Sequence, residues 1–157
     1  MLTVVSMLIK EIRGLIARIN AGDVPVRNKN LPFKILWLDD MRDPKRYFSK
    51  NDKTASETFA RNRDFYAKLF SDHDIINFTW VKSVAEFRNY IENNGFPDMM
   101  SFDYDLGKGE PKGVEAAKWV IEYCSKKEIK LPKFFVHSAN RRGREEINAV
   151  LKSYAVK

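Results

Sequence analysis

Four short apolar runs alternate along the chain with longer segments in which apolar residues recur at helical spacing. The runs cover residues 33–38, 75–81, 99–102 and 133–136, and the helical segments that follow them cover 55–70, 84–93, 114–126 and 144–154. Strands that alternate with helices of this length predict a parallel sheet joined by right-handed crossovers. We therefore predict an α/β fold, a doubly wound parallel sheet with helices on both faces.

Local signals mark several element boundaries. Ser83 with Glu86 three residues later is typical of a capping box, and it opens the predicted helix 84–93. Asn94-Gly95 is expected to end that helix. The segment 41–54 is polar and contains a proline, so we predict a loop there.

Acidic side chains follow the first and third strands directly. The first run ends at Asp39 and Asp40, and the third ends at Asp103, with Asp105 two residues later. Ser138 follows the fourth run after one histidine. Ligands of open parallel sheets bind beyond the carboxyl ends of the strands. We therefore predict an acidic cluster of the four aspartates at this edge.

A cluster of carboxylates is unfavourable on its own. Each acid raises the pKa of its neighbours, and a bound hard cation removes that conflict. Oxygen ligands that are open to water suit Mg²⁺ better than zinc. We predict a magnesium site with Asp39, Asp40, Asp103 and Asp105 as ligands. The alternative is that some of these aspartates only cap helices or turn the chain.

The motifs WLDDMRDP, SFDYDLG and HSAN resemble a divergent receiver-like family linked with bacterial and phage conflict systems. The resemblance covers about residues 34–154, and the arrangement of acids is similar to that of response-regulator receiver domains, which have a flavodoxin-like fold. In receivers the acid pair helps to hold Mg²⁺, the third-strand aspartate accepts a phosphoryl group, and a hydroxyl after the fourth strand contacts that group. The resemblance implies a metal-binding role for Asp39 and Asp40. It implies Asp103 as the phosphoacceptor equivalent, with Asp105 as second candidate, and Ser138 as the phosphate contact.

One part of the receiver pattern is not expected here. Receivers carry a fifth strand, whose lysine contacts the phosphoryl group, and a fifth helix. Only 19 residues follow Ser138, and one helix takes most of them. We therefore expect the fifth strand–helix unit to be missing.

The first 22 residues form a separate amphipathic segment. Val5, Ile9, Ile12 and Ile16 recur at helical spacing, and Lys10 ends the opening apolar run before it could span a bilayer. We predict an N-terminal helix over 1–22, a linker over 23–32 and the receiver-like domain over 33–157. The helix is expected to cover the face left bare by the missing unit or to form a homodimer contact, with no membrane role. A single cysteine and no secretory signal indicate the cytoplasm.

The function that these features favour is a non-enzymatic signalling or binding module with a magnesium pocket and a protein partner. A Mg²⁺-dependent phosphoesterase or nuclease that uses the Asp103/Asp105 pair is an alternative. A third alternative is an inhibitor that blocks a host factor by surface contact alone. The net charge of +7 suits a nucleic-acid partner, but the basic residues are scattered, so this support is weak.

Overall fold

A computed structural model describes residues 31–47, 68, 72 and 75–155 of the chain. The unit that contains the sheet runs from Pro32 to Lys157. The predicted helix over 1–22, nearly all of the linker over 23–32 and nearly all of the predicted helix over 55–70 lie outside the described residues. The proposed division of the chain at residues 22 and 32 therefore stays a prediction.

Residues 31–47 and 75–155 contain four parallel strands and four helices. The strands are β1 (Phe33–Leu38), β2 (Ile76–Val81), β3 (Met99–Phe102) and β4 (Lys133–Val136). The helices are α1 (Pro44–Tyr47), α2 (Val84–Asn94), α3 (Gly113–Lys127) and α4 (Arg141–Ala155). All neighbouring strands are parallel, in the order β2-β1-β3-β4. The prediction of a parallel, receiver-like α/β fold is confirmed.

The predicted boundaries of α2 are set by its caps. The Ser83 hydroxyl accepts a hydrogen bond from the Glu86 N–H at 3.2 Å, and the Glu86 carboxylate accepts one from the Lys82 N–H at 2.8 Å. Gly95 ends the helix with φ of 75°, a backbone conformation that favours glycine. The capping prediction is confirmed at both ends.

The segment 41–54 is not the uninterrupted loop that its polarity predicted. The Asp43 carboxylate accepts a hydrogen bond from the Lys45 N–H at 2.9 Å, and Pro44 occupies the first helical position. Proline is tolerated there because the N–H it lacks would have no partner within the helix. These two residues start the short helix α1, so the loop prediction is wrong over Pro44–Tyr47.

Strand side chains divide between the two faces of the sheet. Successive residues of a strand point to opposite faces, so Leu36 and Leu38 lie on one face and Ile35 and Trp37 on the other. The first face packs against α2, α3 and α4 in the larger core cluster. Buried residues of the second face, Met99 among them, form a smaller core cluster. None of the described helices is long and apolar enough to cross a membrane.

Candidate functional site

The site is built at the residue that follows each of three strands. The N–H of Asp39 bonds to the carbonyl of Val81 at 3.1 Å, that of Asp103 to Leu38 at 2.9 Å, and that of His137 to Phe102 at 3.0 Å. The sheet ladder thus continues one residue beyond β1, β3 and β4. Asp39, Asp103 and His137 therefore stand side by side at the carboxyl edge.

Three of the four predicted aspartates meet there. One carboxylate oxygen from each of Asp39, Asp40 and Asp103 lies within 4.8 Å of the other two. Asp39 and Asp103 are buried, whereas Asp40 is half-buried. Partial burial and the charges of Asp39 and Asp103 raise the pKa of Asp40 above its usual value. The prediction that carboxylates from two distant stretches of chain converge is confirmed for these three residues.

Asp39 differs from Asp40 because its carboxylate is fully engaged. Oδ1 accepts the N–H groups of Met41 at 2.9 Å and Arg42 at 2.7 Å. Oδ2 contacts Arg42 Nε at 2.7 Å and His137 Nε2 at 3.0 Å. Burial raises the pKa of Asp39, but the bonds to His137 and Arg42 outweigh it, so the pKa lies below its usual value. A carboxylate offers about four acceptor positions, and all are used here.

His137 is a packed residue that holds Asp39 in place. Its ring is fully buried and stacks on Trp37, with ring centroids 3.9 Å apart. Its Nδ1 lies 2.8 Å from the Ser101 hydroxyl, and Nε2 faces Asp39. Burial lowers the pKa of His137, so the ring is neutral at neutral pH. The neutral tautomer that fits this network donates from Nε2 to Asp39 and accepts at Nδ1 from Ser101.

Arg42 contacts two of the clustered aspartates and was not among the residues predicted for the site. Its Nε contacts Asp39 Oδ2 and its Nη2 contacts Asp103 Oδ2, both at 2.7 Å. Its carbonyl accepts a hydrogen bond from Trp37 Nε1 at 3.0 Å. Arg42 lies in the segment predicted to be a plain loop, where an arginine is ordinarily a surface charge. Its position two residues after the acid pair was the available signal.

Asp105 lies at the rim of the site and outside the three-carboxylate cluster. Its exposed carboxylate accepts from Lys112 Nζ at 2.7 Å and from the Asn140 side-chain amide at 3.1 Å. Both hydrogen bonds lower the pKa of Asp105. Asp105 and the buried Ser138 nevertheless line the same open cleft of about 360 Å³ as the cluster.

The loop after β4 is held beside the cluster by α4. Arg144 Nη1 donates to the carbonyls of Ser138 at 2.7 Å and Ala139 at 3.0 Å. The Asn140 side chain accepts from the Gly143 N–H at 2.9 Å, which caps α4 and starts it three residues before its predicted beginning. The Ser138 hydroxyl accepts from the Asn140 N–H at 3.3 Å. Ser138 is therefore fixed at the cleft wall.

The donor set is compatible with a divalent cation. It consists of carboxylate oxygens that open onto a cleft, and hard oxygen donors are those that Mg²⁺ prefers. Partial burial and, after it, the negative charges of Asp39 and Asp103 raise the pKa of Asp40, and a bound cation would favour its ionised form. The described residues are therefore compatible with a divalent metal site of the kind that receiver domains use.

The order of the parallel strands, the acids after β1 and β3 and the hydroxyl after β4 define a receiver-like domain. The cyclic-phosphate processing receiver domain family matches residues 34–153, and the chain belongs to this family. No curated protein matches the chain.

Two solved structures are similar to the chain at low identity. One is a yeast Spc42 trimeric coiled-coil segment fused to another structure, 16% identical with a TM-score of 0.43. The match covers 76% of this chain and 63% of the fusion, so this chain spans less than two thirds of that chain's length. The other is the N-terminal domain of a response regulator/sensory box/GGDEF protein from Carboxydothermus hydrogenoformans, 15% identical with a TM-score of 0.35. That match covers 78% of this chain and 97% of the other. Neither likeness supports a functional conclusion.

Proposed function

We propose that the chain is a receiver-like signalling domain whose acidic cleft binds Mg²⁺ and, beside it, a phosphate-bearing group at Asp103. The observation that carries this proposal is the convergence of Asp39, Asp40 and Asp103 within 4.8 Å at the mouth of a cleft that also contains Ser138. Membership of a receiver family supports it.

Asp40 and Asp103 are the residues that would hold the metal. Mg²⁺ is usually bound by one or two carboxylates and keeps several waters. Asp39 has its four acceptor positions in use, so its role is to orient Arg42 and His137 beside the ligands. When bound, Mg²⁺ would supply positive charge to the oxygens of an incoming phosphate group.

Asp103 is the acceptor equivalent in this proposal, in preference to Asp105. Asp103 belongs to the cluster, whereas Asp105 is engaged by Lys112 and Asn140 at the rim. In phosphoryl transfer, an oxygen of the Asp103 carboxylate would bond to phosphorus as the bond from phosphorus to the donor's leaving group breaks. The Ser138 hydroxyl lines the same cleft and would contact the transferred group.

A second candidate function is hydrolysis of a cyclic phosphate, which the description of the family favours. Water would add to phosphorus, one of the two ring P–O bonds would break, and a phosphate monoester with a free hydroxyl would result. This function is the phosphoesterase alternative of the sequence analysis, with Asp40 and Asp103 in place of Asp103 and Asp105. Asp40 and Asp103 share the cluster, so they are better placed than Asp103 and Asp105 to hold a metal.

The output of the domain is proposed to be contact with a protein partner, in bacterial or phage conflict. This part rests on the resemblance of the motifs to a divergent receiver-like family linked with such systems. The homodimer contact through residues 1–22 and a cytoplasmic location remain predictions.

One titration series distinguishes these functions. Mg²⁺ and then beryllofluoride, a phosphoryl mimic, are added while tryptophan fluorescence is followed. Trp37 is the reporter because it bonds to Arg42 and stacks on His137, and a Trp37→Phe variant shows how much signal comes from it. In parallel, cyclic nucleoside monophosphates are tested for Mg²⁺-dependent ring opening.

The signalling function predicts responses to both additions, loss of the beryllofluoride response in Asp103→Asn and no ring opening. Ring opening that is abolished in Asp103→Asn would favour the hydrolase instead. Absence of any Mg²⁺ response would reject both functions and leave the surface-contact inhibitor.

A further inference from the structure

We propose that Arg42 is the phosphate-binding residue of the cleft: its guanidinium pairs with Asp103 in the ligand-free protein and transfers to the oxygens of a phosphate group bound beside Asp103. The inference deepens the proposed function and rests on it. It assigns the phosphate-binding cation to a residue of the loop after β1.

The need for such a cation follows from the charges in the cleft. A phosphate group that approaches Asp103 also approaches Asp39 and Asp40, which lie within 4.8 Å of it. Like charges this close repel one another, and the repulsion is stronger near a protein surface than in water. A positively charged side chain in contact with Asp103 offsets that repulsion, and Arg42 makes this contact at 2.7 Å.

Arg42 is held ready for this role by its own backbone and by Asp39. Its N–H donates to Asp39 Oδ1 at 2.7 Å, and its carbonyl accepts from Trp37 Nε1 at 3.0 Å. Its Nε contacts Asp39 Oδ2. The first two contacts fix the backbone of Arg42, and the Nε contact holds the near end of the guanidinium while Nη2 contacts Asp103. Nη2 can therefore exchange Asp103 for a phosphate oxygen while the contacts to Asp39 persist.

The chemistry and exposure of the side chain suit a phosphate. The guanidinium is planar, permanently charged and shaped to bind two phosphate oxygens at once. The Arg42 side chain is 27% exposed, and it lines the cleft together with Ser138. It is thus reachable by a ligand yet shielded enough for its charge to act strongly.

Other basic groups near the cleft are engaged differently. His137 is buried and neutral, and its two ring nitrogens face Asp39 and Ser101. Lys112 pairs with the rim carboxylate of Asp105, and Arg144 donates to the backbone carbonyls of the loop after β4. Arg42, by contrast, contacts the proposed acceptor itself.

A phosphate-binding role for Arg42 affects the affinities for Mg²⁺ and for a phosphate mimic in a way that a purely structural role would not. Arg42 competes with Mg²⁺ for the carboxylates but assists the phosphate. Removal of its charge should therefore tighten the binding of Mg²⁺ alone and weaken the binding of a phosphate mimic to the Mg²⁺-loaded protein. The two affinities move in opposite directions.

The test is a pair of calorimetric titrations on the full chain. The first measures the Kd of Mg²⁺ alone, and the second measures the Kd of beryllofluoride at saturating Mg²⁺. The variants are Arg42→Gln, Arg42→Lys and a charge-matched control, Arg88→Gln. Arg88 is exposed on α2, where it lies over the Trp119 ring. Circular dichroism melts establish that each variant is folded.

We expect Arg42→Gln to bind Mg²⁺ about 3- to 10-fold more tightly and beryllofluoride at least about 10-fold more weakly, while Arg88→Gln leaves both constants unchanged. Arg42→Lys keeps the charge but loses the planar guanidinium that can bind two oxygens at once. Its beryllofluoride affinity should therefore lie between those of wild type and Arg42→Gln. This variant carries the test if Arg42→Gln does not fold. Unchanged beryllofluoride affinity in a folded Arg42→Gln would overturn the inference, as would a parallel loss of both affinities. If wild type binds no Mg²⁺, the proposed function itself fails.

Discussion

Substitution of Asp40 by asparagine should stabilise the metal-free protein. Asp40 carries a charge beside Asp39 and Asp103, and partial burial together with these neighbouring charges raises its pKa. An asparagine at this position would keep the shape of the side chain and remove the repulsion. Since the carboxylate is proposed as a metal ligand, the same change should abolish most of the stabilisation that Mg²⁺ gives to wild type.

The size of the effect follows from the separation of the charges. One oxygen of each carboxylate lies within 4.8 Å of the others, and two unit charges at that limit repel by about 0.9 kcal/mol in water and by about 3.5 kcal/mol at an effective dielectric constant of about 20. Asp40 is half-buried and Arg42 offsets part of the repulsion, so the lower part of this range applies. We expect a gain of about 1–2 kcal/mol in the free energy of unfolding. For a domain of this size, that corresponds to a rise in Tm of about 2–8 °C.

The assay is urea unfolding at pH 7 in the presence of a chelator, repeated with saturating Mg²⁺. Asp105→Asn is the matched control because hydrogen bonds from Lys112 and Asn140 lower the pKa of that exposed carboxylate. Its loss should slightly destabilise the protein, by less than about 1 kcal/mol. The free energy of unfolding in chelator should therefore rise in Asp40→Asn and fall slightly in Asp105→Asn.

The pH dependence gives an independent check on the cause. The raised pKa means that the folded protein binds a proton on Asp40 at a higher pH than the unfolded chain does. The cost of the charge is therefore absent below the ordinary aspartate pKa and grows as pH rises through the raised value. The advantage of Asp40→Asn over wild type should shrink as the pH is lowered from 7 towards 4. An Asp40→Asn variant that is less stable than wild type in chelator would refute the reasoning.

Three further predictions concern the frame of the site. His137→Ala should lower the free energy of unfolding by about 2–4 kcal/mol in urea titrations, because it leaves the buried carboxylate of Asp39 without one partner. Acidification from pH 7.5 to 5.5 should lower the free energy of unfolding of wild type. Burial lowers the pKa of His137, so near pH 6.5 this histidine takes up a proton only in the unfolded chain. His137→Gln should therefore make the free energy of unfolding less dependent on pH over this range. Gly113→Ala should destabilise more than Gly143→Ala, because its new methyl group meets the backbone carbonyl of Asp103 rather than the Tyr104 side chain. Melts of both variants check this, and Tyr104→Ala should partly rescue only Gly143→Ala, because it removes the ring but keeps the Cβ of residue 104.

The sheet could be predicted from the sequence because each strand is a short apolar run with a sharp polar end. The predicted bounds of β1, β3 and β4 match the structure, and β2 begins one residue later than predicted, at Ile76. The convergence of Asp39, Asp40 and Asp103 followed from parallel topology alone, since the carboxyl ends of neighbouring strands meet at one edge.

The connections within the site could not be predicted, because they depend on the register of the strands and on local turn geometry. Ser101 pairs with Trp37 in the β1–β3 register, and strand alternation places both on the face that also carries Asp39 and His137. The apolar runs of the sequence show that Trp37 and Ser101 lie in strands, but they do not show that these two residues are neighbours across β1 and β3. Arg42 reaches the cluster because the Asp39 carboxylate binds its N–H, a turn that composition does not reveal.

We propose that Asp40 and Asp103 hold a divalent cation while Asp39 stays bonded to Arg42 and His137. Crystals grown with Mn²⁺ in place of Mg²⁺ test it directly, because anomalous scattering locates the ion without assumptions. We expect one anomalous peak at coordination distance from Asp40 and Asp103. This peak should be absent from crystals of Asp103→Asn. A cleft without a peak, or an ion coordinated by Asp39 after its bonds to Arg42 and His137 have broken, would contradict it.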